Sequence, residues 1–185
     1  MYIVTYKGKF AFIKPWTAVR DGETFSQQFL TPSIIEGIEK KLFPELLSNS
    51  GICKILRHKL HFSAMSSQQE VTQTRGWRHT KDKANIRERS VLKRSILINP
   101  ILYIAFEREE DAIVASKQHI CLCRNEDILL PEPQILNLTD DEFTSIPGFE
   151  FVFDKADEYL LVGFNRYNNK EPMYGHLEYN GQSLL

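Results

Sequence analysis

A helix between Thr31 and Pro44 is the most clearly marked element of the sequence. Thr31 can cap its N-terminus, and Pro32 suits the first helical position because the N–H that proline lacks would have no partner there. Pro44 ends the helix at about Phe43. Apolar side chains recur at helical spacing on one side, at Ile34, Ile35, Ile38 and Leu42. Charged side chains take the other side, at Glu36, Glu39, Lys40 and Lys41. We therefore expect the apolar side to pack on one face of a sheet.

Segments rich in β-branched and aromatic residues lie before and after this helix. Pro100 interrupts one of them, which implies an edge position, a bulge or a break, because proline cannot donate to a sheet. Strands are predicted at residues 2–14, 52–65, 95–106 and 119–124, and a second helix at 107–116. The order β-α-β-β-α-β over residues 1–125 is that of a ferredoxin-like α+β domain, which is also the frame of RNA-recognition modules.

Residues 126–185 are predicted to form a small β-rich subdomain packed on the first domain. The Pro-containing stretch at 130–133 is interpreted as a loop. Residues 149–153 and 159–164 are predicted to pair as a hairpin, and residues 173–179 to form a last strand.

The positive charge of the chain is concentrated in one segment. The whole chain has 23 Lys or Arg and 24 Asp or Glu, but residues 54–94 contain 11 basic and three acidic side chains. Such a segment creates a local field that the near-zero net charge conceals, and it is a candidate contact for a polyanion. The alternative is a solvated loop that pairs with the acidic C-terminal part, residues 95–185, which contains 16 acidic and six basic residues.

The middle of this basic segment has neither an amphipathic period nor enough apolar groups to pack in a core. Residues 66–85 are therefore expected to project from the body of the protein. Together with the extended segments on either side, they are predicted to form an elongated basic hairpin at about residues 56–98. Trp77 lies between Arg75 and Arg78 and offers an apolar plate on which a base can stack. Alternatively, Trp77 anchors the hairpin tip on a neighbouring subunit.

The sequence contains few signals for cofactor or metal chemistry. Its three cysteines are an odd number, and Cys121 and Cys123 are separated by only one residue, which is too close for a zinc knuckle. The acidic runs at 107–111 and 140–142 are interpreted as solvated charge. No metal or cofactor is expected. The chain has no long apolar run and no signal-peptide pattern at its N-terminus, which favours a cytoplasmic protein without a membrane contact.

Several of these features resemble the CRISPR-associated RAMP proteins, in particular the family numbered five. In that family the first helix opens with Thr-Pro-Ser, as at residues 31–33 here. The strand after the hairpin, called the thumb, runs Arg, two residues, Leu, one residue, Leu, and then a Tyr. Arg94, Leu97 and Tyr103 stand at about those places. The resemblance covers roughly residues 1–107.

The resemblance implies an RNA-binding structural subunit of a Cascade-like effector complex in antiviral defence. Its thumb and sheet face would hold the 5′ handle of the CRISPR RNA (crRNA), and its partners would be the crRNA and the backbone and large subunits. Lys and Arg neutralise phosphates, and aromatic side chains stack on bases. The residues expected to contact RNA are Arg20, Arg57, Lys59, Arg75, Trp77, Arg78, Lys81, Lys83, Arg87, Arg89, Lys93 and Arg94.

Two other functions remain open from the sequence. One branch of the family cleaves the crRNA precursor without a metal, using a Tyr just after the first helix and a Lys-His pair further on. Here Phe43 takes the place of that tyrosine, and Lys117 and His119 are the low-probability catalytic candidates. A general acid or base needs a hydroxyl or an imidazole, which Phe43 does not supply. The third function is a protein-interaction module whose basic hairpin docks on an acidic surface.

Overall fold

The structure is a computed structural model of the chain, and it describes residues 1–15, 22–73, 78–80, 83–86, 89–153 and 159–181. Three α-helices lie in the described part: α1 (Pro32–Leu42), α2 (Glu109–Ala115) and α3 (Asp140–Ser145). Its strands are β1 (Tyr2–Lys7), β2 (Phe10–Ala11), β3 (Glu23–Phe25), β4 (Ile55–His61), β5 (Ala64–Gln73), β6 (Arg78–Thr80), β7 (Lys83–Ile86), β8 (Arg89–Ile98), β9 (Ile101–Phe106), β10 (Ile120–Cys121), β11 (Ile128–Asn137), β12 (Gly148–Phe153), β13 (Leu160–Phe164) and β14 (Pro172–Asn180).

Eight strands form the main sheet, in the order β10-β11-β1-β9-β4-β12-β14-β13. Neighbouring strands in it are antiparallel. Helix α1 lies in the connection from β1 to β4, and α2 lies in the connection from β9 to β11. The α+β class predicted from the sequence is confirmed. The sheet includes strands from both sides of residue 125, so it runs across the predicted domain boundary.

The predicted strands near the C-terminus needed correction in three places. The strand expected at 119–124 is reduced to Ile120 and Cys121, and the stretch expected to be a loop lies within β11. Proline is tolerated there because β10 pairs only with Ile128 and Leu129, which leaves Pro131 and Pro133 on an open edge in the described part. The predicted hairpin is also wrong in its pairing, because β14 lies between β12 and β13 and pairs with both.

The main core lies between the sheet and helices α1 and α2. Ile35, Ile38 and Leu42 of α1 are buried against apolar side chains of β1 and β9, including Val4 and Ile104. These are the apolar positions predicted from the helical period. Helix α1 begins after Thr31 and ends before Phe43 as predicted, although the Thr31 side chain makes no capping hydrogen bond. The strands around it are shorter than predicted, because the segment at 2–14 is divided into β1 and β2 and the segment at 52–65 into β4 and β5, in different sheets.

Most of the charged side of α1 is covered, and only Lys41 of its four charged side chains is exposed. Glu36, Glu39 and Lys40 are all buried. The carboxylate of Glu36 accepts hydrogen bonds from the Lys40 ammonium at 2.7 Å and from the Gly51 N–H and Asn165 Nδ2 at 3.0 Å each. A second layer of chain covers this side of the helix and satisfies its charges, which offsets the cost of burying them.

The opposite face of the main sheet is covered in part by α3. Phe143 of α3 is fully buried and packs with Ile3 and Ala105 in a second apolar cluster, which Tyr103 also contacts. A capping box starts this helix, because the Thr139 hydroxyl accepts from the Glu142 N–H while the Glu142 carboxylate accepts from the Thr139 N–H. The sheet face that the resemblance assigns to RNA is thus partly occupied by the chain itself.

A second sheet is built around a long antiparallel hairpin of β5 and β8. Its register runs from Ala64 opposite Ile98 to Gln73 opposite Arg89. At its base, β2 pairs with Leu97 and Ile98, and β3 runs parallel to residues 93–95. The long apolar run at 95–106 is divided between the two sheets. Strand β8 ends at Ile98 and β9 begins at Ile101, so the chain breaks at Asn99 and Pro100. The predicted elongated hairpin is present, and its first arm begins at Ala64 after β4 has ended in the main sheet.

Candidate nucleic-acid interface

The outer part of the hairpin stands clear of the other described strands. Lys93 still pairs with Glu23 of β3, and from Leu92 toward the tip β8 pairs with β5, while β6 and β7 pair with each other. Arg89 and Lys93 are exposed there. Val71 and Val91 lie opposite each other in the register and are 66% and 53% exposed. Directly opposed side chains share one face of a sheet, so the hairpin presents cations beside a small apolar spot.

The other tip residues predicted to contact RNA are described only in part. Arg78 lies in β6 and Lys83 in β7, on the two strands of the tip. Arg20, Arg75, Trp77, Lys81 and Arg87 lie outside the described residues.

Arg94 lies at the base of the hairpin and is held by an acidic partner. Its Nε donates to Glu70 at 2.8 Å, and the other oxygen of Glu70 accepts from Nη1 of Arg124 at 2.6 Å. Both guanidinium groups lie near the ring of Phe12, at 5.1 and 5.6 Å from its centroid. The pKa of the Glu70 carboxyl is lowered by these hydrogen bonds and charges, against the opposing effect of burial. The bond between Arg94 and Glu70 therefore joins the two arms of the hairpin, and Arg124 links Glu70 to the body of the protein. Glu70 and Arg124 were not predicted to act here, although Glu70 is the first acid in the basic segment.

Arg57 is engaged within the fold and not in the hairpin. It lies in β4, and its guanidinium makes two hydrogen bonds to Glu150 at 2.8 and 2.6 Å and one to Asp140 at 2.8 Å. The hydrogen bonds to Glu150 raise the pKa of the guanidinium above its usual value. A bidentate pair of this kind fixes geometry strongly, and here it ties β4 to β12 and to the start of α3.

Lys59, another predicted RNA contact, is buried at 3% exposure. Its ammonium donates to the backbone carbonyls of Phe143, Thr144 and Ile146 at 3.0–3.1 Å. Burial lowers the pKa of this ammonium. The carbonyls at the C-terminal end of a helix lack intrahelical partners, so Lys59 satisfies them and holds α3 on the sheet. We therefore leave Lys59 out of the interface.

The low-probability catalytic candidates lie near the C-terminal end of α1. Gln118 donates to the Leu42 carbonyl at 2.9 Å, and the Lys41 ammonium donates to the His119 carbonyl. Lys117 and His119 are both exposed. Phe43 is buried at 1% exposure and makes an edge contact with the ring of Phe106 at 5.9 Å. This arrangement brings the segment 117–119 to the end of α1 but places no hydroxyl at position 43.

One residue of the acidic run at 107–111 has a structural partner. Asp111, in the acidic run that starts α2, forms an ion pair with Lys54 at 2.8 Å. The described part of the chain contains no group of three or more His, Cys, Asp or Glu arranged to hold a metal ion.

His58 is buried on β4 and stacks on Phe153 at 5.3 Å. Burial lowers the pKa of its imidazole to about 4, against the hydrogen bond with the Leu30 backbone, which raises it. His58 is therefore neutral in the folded state and titrates near 6.5 only after unfolding, so stability is lost as the pH falls below about 6.5. We expect the free energy of unfolding to fall by about 2 kcal/mol between pH 7 and pH 5, as measured by urea denaturation.

The control for this pH dependence is His58→Phe, which removes the titrating group. Its stability should be nearly independent of pH over the same interval. The lowered pKa values of Glu36, Glu70 and Asp111 affect stability mainly below about pH 4, where these carboxyls are protonated in the unfolded chain, so they contribute little over this interval. An equal pH slope in the variant and the wild type would contradict the assignment to His58.

No protein-family model matches the chain, and no curated protein matches it. Its fold is similar to that of a chain in a solved structure described as a "CRISPR RNA-guided surveillance complex". The TM-score is 0.54 at 12% sequence identity, and the match covers 97% of this chain and 89% of that chain. At this identity the likeness concerns the fold. In the part that the structure describes, no helix is long and apolar enough to cross a membrane.

Proposed function

We propose that the chain is a non-catalytic RNA-binding subunit of a CRISPR effector complex that holds the 5′ handle of the crRNA. The observation that carries this proposal is the long hairpin of β5 and β8, which projects from the body within a segment of 11 basic and three acidic residues. An RNA backbone is a line of phosphates, and a projecting basic ribbon can follow it while releasing counterions.

We further propose that the fold is that of a ferredoxin-like RAMP protein of family five. The strand order β11-β1-β9-β4, with α1 and α2 in the two crossover connections, supports this assignment. The order is that of a split β-α-β arrangement. The likeness in fold to a chain of a CRISPR RNA-guided surveillance complex agrees with it.

In this proposal the hairpin, and not the whole sheet face, is the RNA contact. The residues proposed are those of the outer hairpin: Arg75, Trp77, Arg78, Lys81, Lys83, Arg87, Arg89 and Lys93. Helix α3 covers part of the sheet face, where Phe143 packs and Lys59 donates to the helix backbone. We therefore give that face a smaller role in RNA binding. The partners would be the crRNA and the backbone and large subunits of the complex, in the cytoplasm.

We expect the change of Arg75, Arg78, Lys81 and Lys83 to Ala to weaken RNA binding at least about tenfold, because phosphate contacts dominate such affinities. Binding would be measured by gel shift with the CRISPR repeat encoded beside the gene, with and without the backbone subunit. The slope of log affinity against log salt should fall by about 0.7 for each phosphate that the variant no longer neutralises.

A matched control removes four lysines from the body of the protein: Lys7, Lys9 and Lys117 to Ala, and Lys170 to Asn. Asn suits position 170 because the backbone there is left-handed, with φ of 59°. This control should retain most of the affinity and of the salt slope. Equal affinity of the wild type and the hairpin variant would overturn the hairpin assignment. Salt-sensitive binding to a protein partner with no RNA would favour an interaction module instead.

A further inference from the structure

A second cluster of cations surrounds a cleft on the side of α1. Lys14, Lys41 and Arg166 line it together with Ser33, Cys121 and Cys123, and its volume is about 290 Å³. The segments that carry these residues are far apart in sequence. Lys14 follows β2, Lys41 is on α1, the cysteines follow α2, and Arg166 lies in the connection from β13 to β14. No local pattern in the sequence therefore groups them.

In the part of the chain that the structure describes, the cations of the cleft have no acidic partners. No described carboxylate lines the cleft, and none of the three cations forms an ion pair with a described residue. The carboxylates of Glu36 and Asp127 are taken up by Lys40 and Arg124 respectively. Three exposed like charges around one cavity repel one another, and an anion in the cavity relieves that repulsion.

The geometry of α1 keeps Arg166 close to the cleft. A Cβ atom at position 37, where the chain has glycine, would lie 3.0 Å from the Tyr167 hydroxyl and 3.1 Å from Nη2 of Arg166. The absence of a side chain at position 37 thus lets this turn lie directly on the helix. The Arg166 Nη2 donates to the Tyr167 hydroxyl at 2.8 Å, and the Arg166 guanidinium lies over the ring of Tyr167. The Lys41 ammonium donates to the His119 carbonyl. Several N–H groups of both cations stay available to a ligand.

We propose that this cleft binds a phosphate group of the RNA, at a second contact separate from the hairpin. The proposal rests on the proposed RNA-binding function. A phosphate fits the site because Lys and Arg donate charge-assisted hydrogen bonds to its oxygens, with Ser33 as a neutral donor. An RNA that contacts both the hairpin and the cleft would bind more tightly and in one defined direction.

The two cysteines of the cleft provide the test, because Cys53 is an exposed thiol outside it and serves as an internal control. The rate of alkylation of each thiol would be measured by mass spectrometry with and without the repeat RNA. We expect RNA to slow alkylation of Cys121 and Cys123 several-fold and to leave Cys53 unchanged. In the Lys14→Ala, Arg166→Ala double variant this protection should disappear, and the salt slope of RNA binding should fall by about 0.7, the value for one phosphate of a single strand.

The matched control is the Lys7→Ala, Lys9→Ala variant, which removes the same charge at exposed positions outside the cleft lining. It should keep the protection. RNA binding without protection of Cys121 and Cys123 would overturn the cleft inference and leave the hairpin proposal in place. Absence of RNA binding by gel shift would overturn both. Equal protection by inorganic phosphate alone would indicate a small phosphate-bearing ligand and overturn the RNA assignment.

Discussion

Glu39→Ala is expected to lower the free energy of unfolding by about 3–5 kcal/mol, because it leaves three backbone N–H groups without their acceptor. Glu39 is fully buried on α1. One carboxylate oxygen accepts from the N–H of Cys53 at 2.8 Å, and the other accepts from those of Lys54 and Ile55 at 2.6 and 2.8 Å. This side chain therefore sets where the chain enters β4, and its removal affects the helix and the sheet together.

Chemical denaturation followed by circular dichroism measures this effect. Glu45→Ala is the matched control, because Glu45 is an exposed glutamate that pairs with Lys54 at the surface, and its removal should change stability far less than the removal of Glu39. Glu39→Gln should fall between the two, since its amide keeps one acceptor oxygen and adds a donor that faces other donors. A Glu39→Ala protein as stable as the Glu45→Ala protein would contradict this account of the buried carboxylate.

Lys59→Met is expected to lower the free energy of unfolding by about 1–3 kcal/mol and to loosen α3. Methionine nearly matches the volume of the lysine stem but cannot donate to the carbonyls that the ammonium contacts. The carbonyls of Phe143 and Thr144 keep donors in the Ile146 N–H and in Asn180 Nδ2, so most of the cost comes from the Ile146 carbonyl, because a buried acceptor without a donor is costly. Chemical denaturation measures the stability. Amide hydrogen exchange of residues 140–146 should become faster, because α3 would open without global unfolding.

Lys7→Met makes the same substitution at an exposed lysine of the same sheet. The side chain of Lys7 is 50% exposed and pairs with Glu132 at 3.3 Å, so its replacement should cost less than about 1 kcal/mol. If Lys59→Met and Lys7→Met were equally stable, with unchanged exchange in α3, Lys59 would not hold that helix.

The parts of the fold predicted well from the sequence are those set by neighbours along the chain. The start of α1 follows from Thr31 and Pro32, and its apolar side follows from a period that repeats within two turns. The hairpin of β5 and β8 joins segments that are close in sequence, so a polar projection between two extended stretches was enough to indicate it.

The charged residues were predicted less well, because their state depends on partners far along the chain. Arg57 and Lys59 belong to the most basic segment, yet they contact Glu150 and the end of α3, more than 80 residues away. The strand β11 was likewise missed, since Pro131 and Pro133 argue against a strand unless one edge stays open.

The sequence by itself determined the amphipathic helix, the long hairpin and the concentration of positive charge, because periodicity, caps and charge are local properties of the chain. Tertiary structure decided which charges are free. Glu36, Glu39 and Lys40 are buried because later segments bring hydrogen-bond partners to them. Lys14, Lys41 and Arg166 come together because four segments converge on one side of α1. Whether a charge is buried with partners or left in a cleft depends on desolvation and on contacts between distant segments, which no local pattern records.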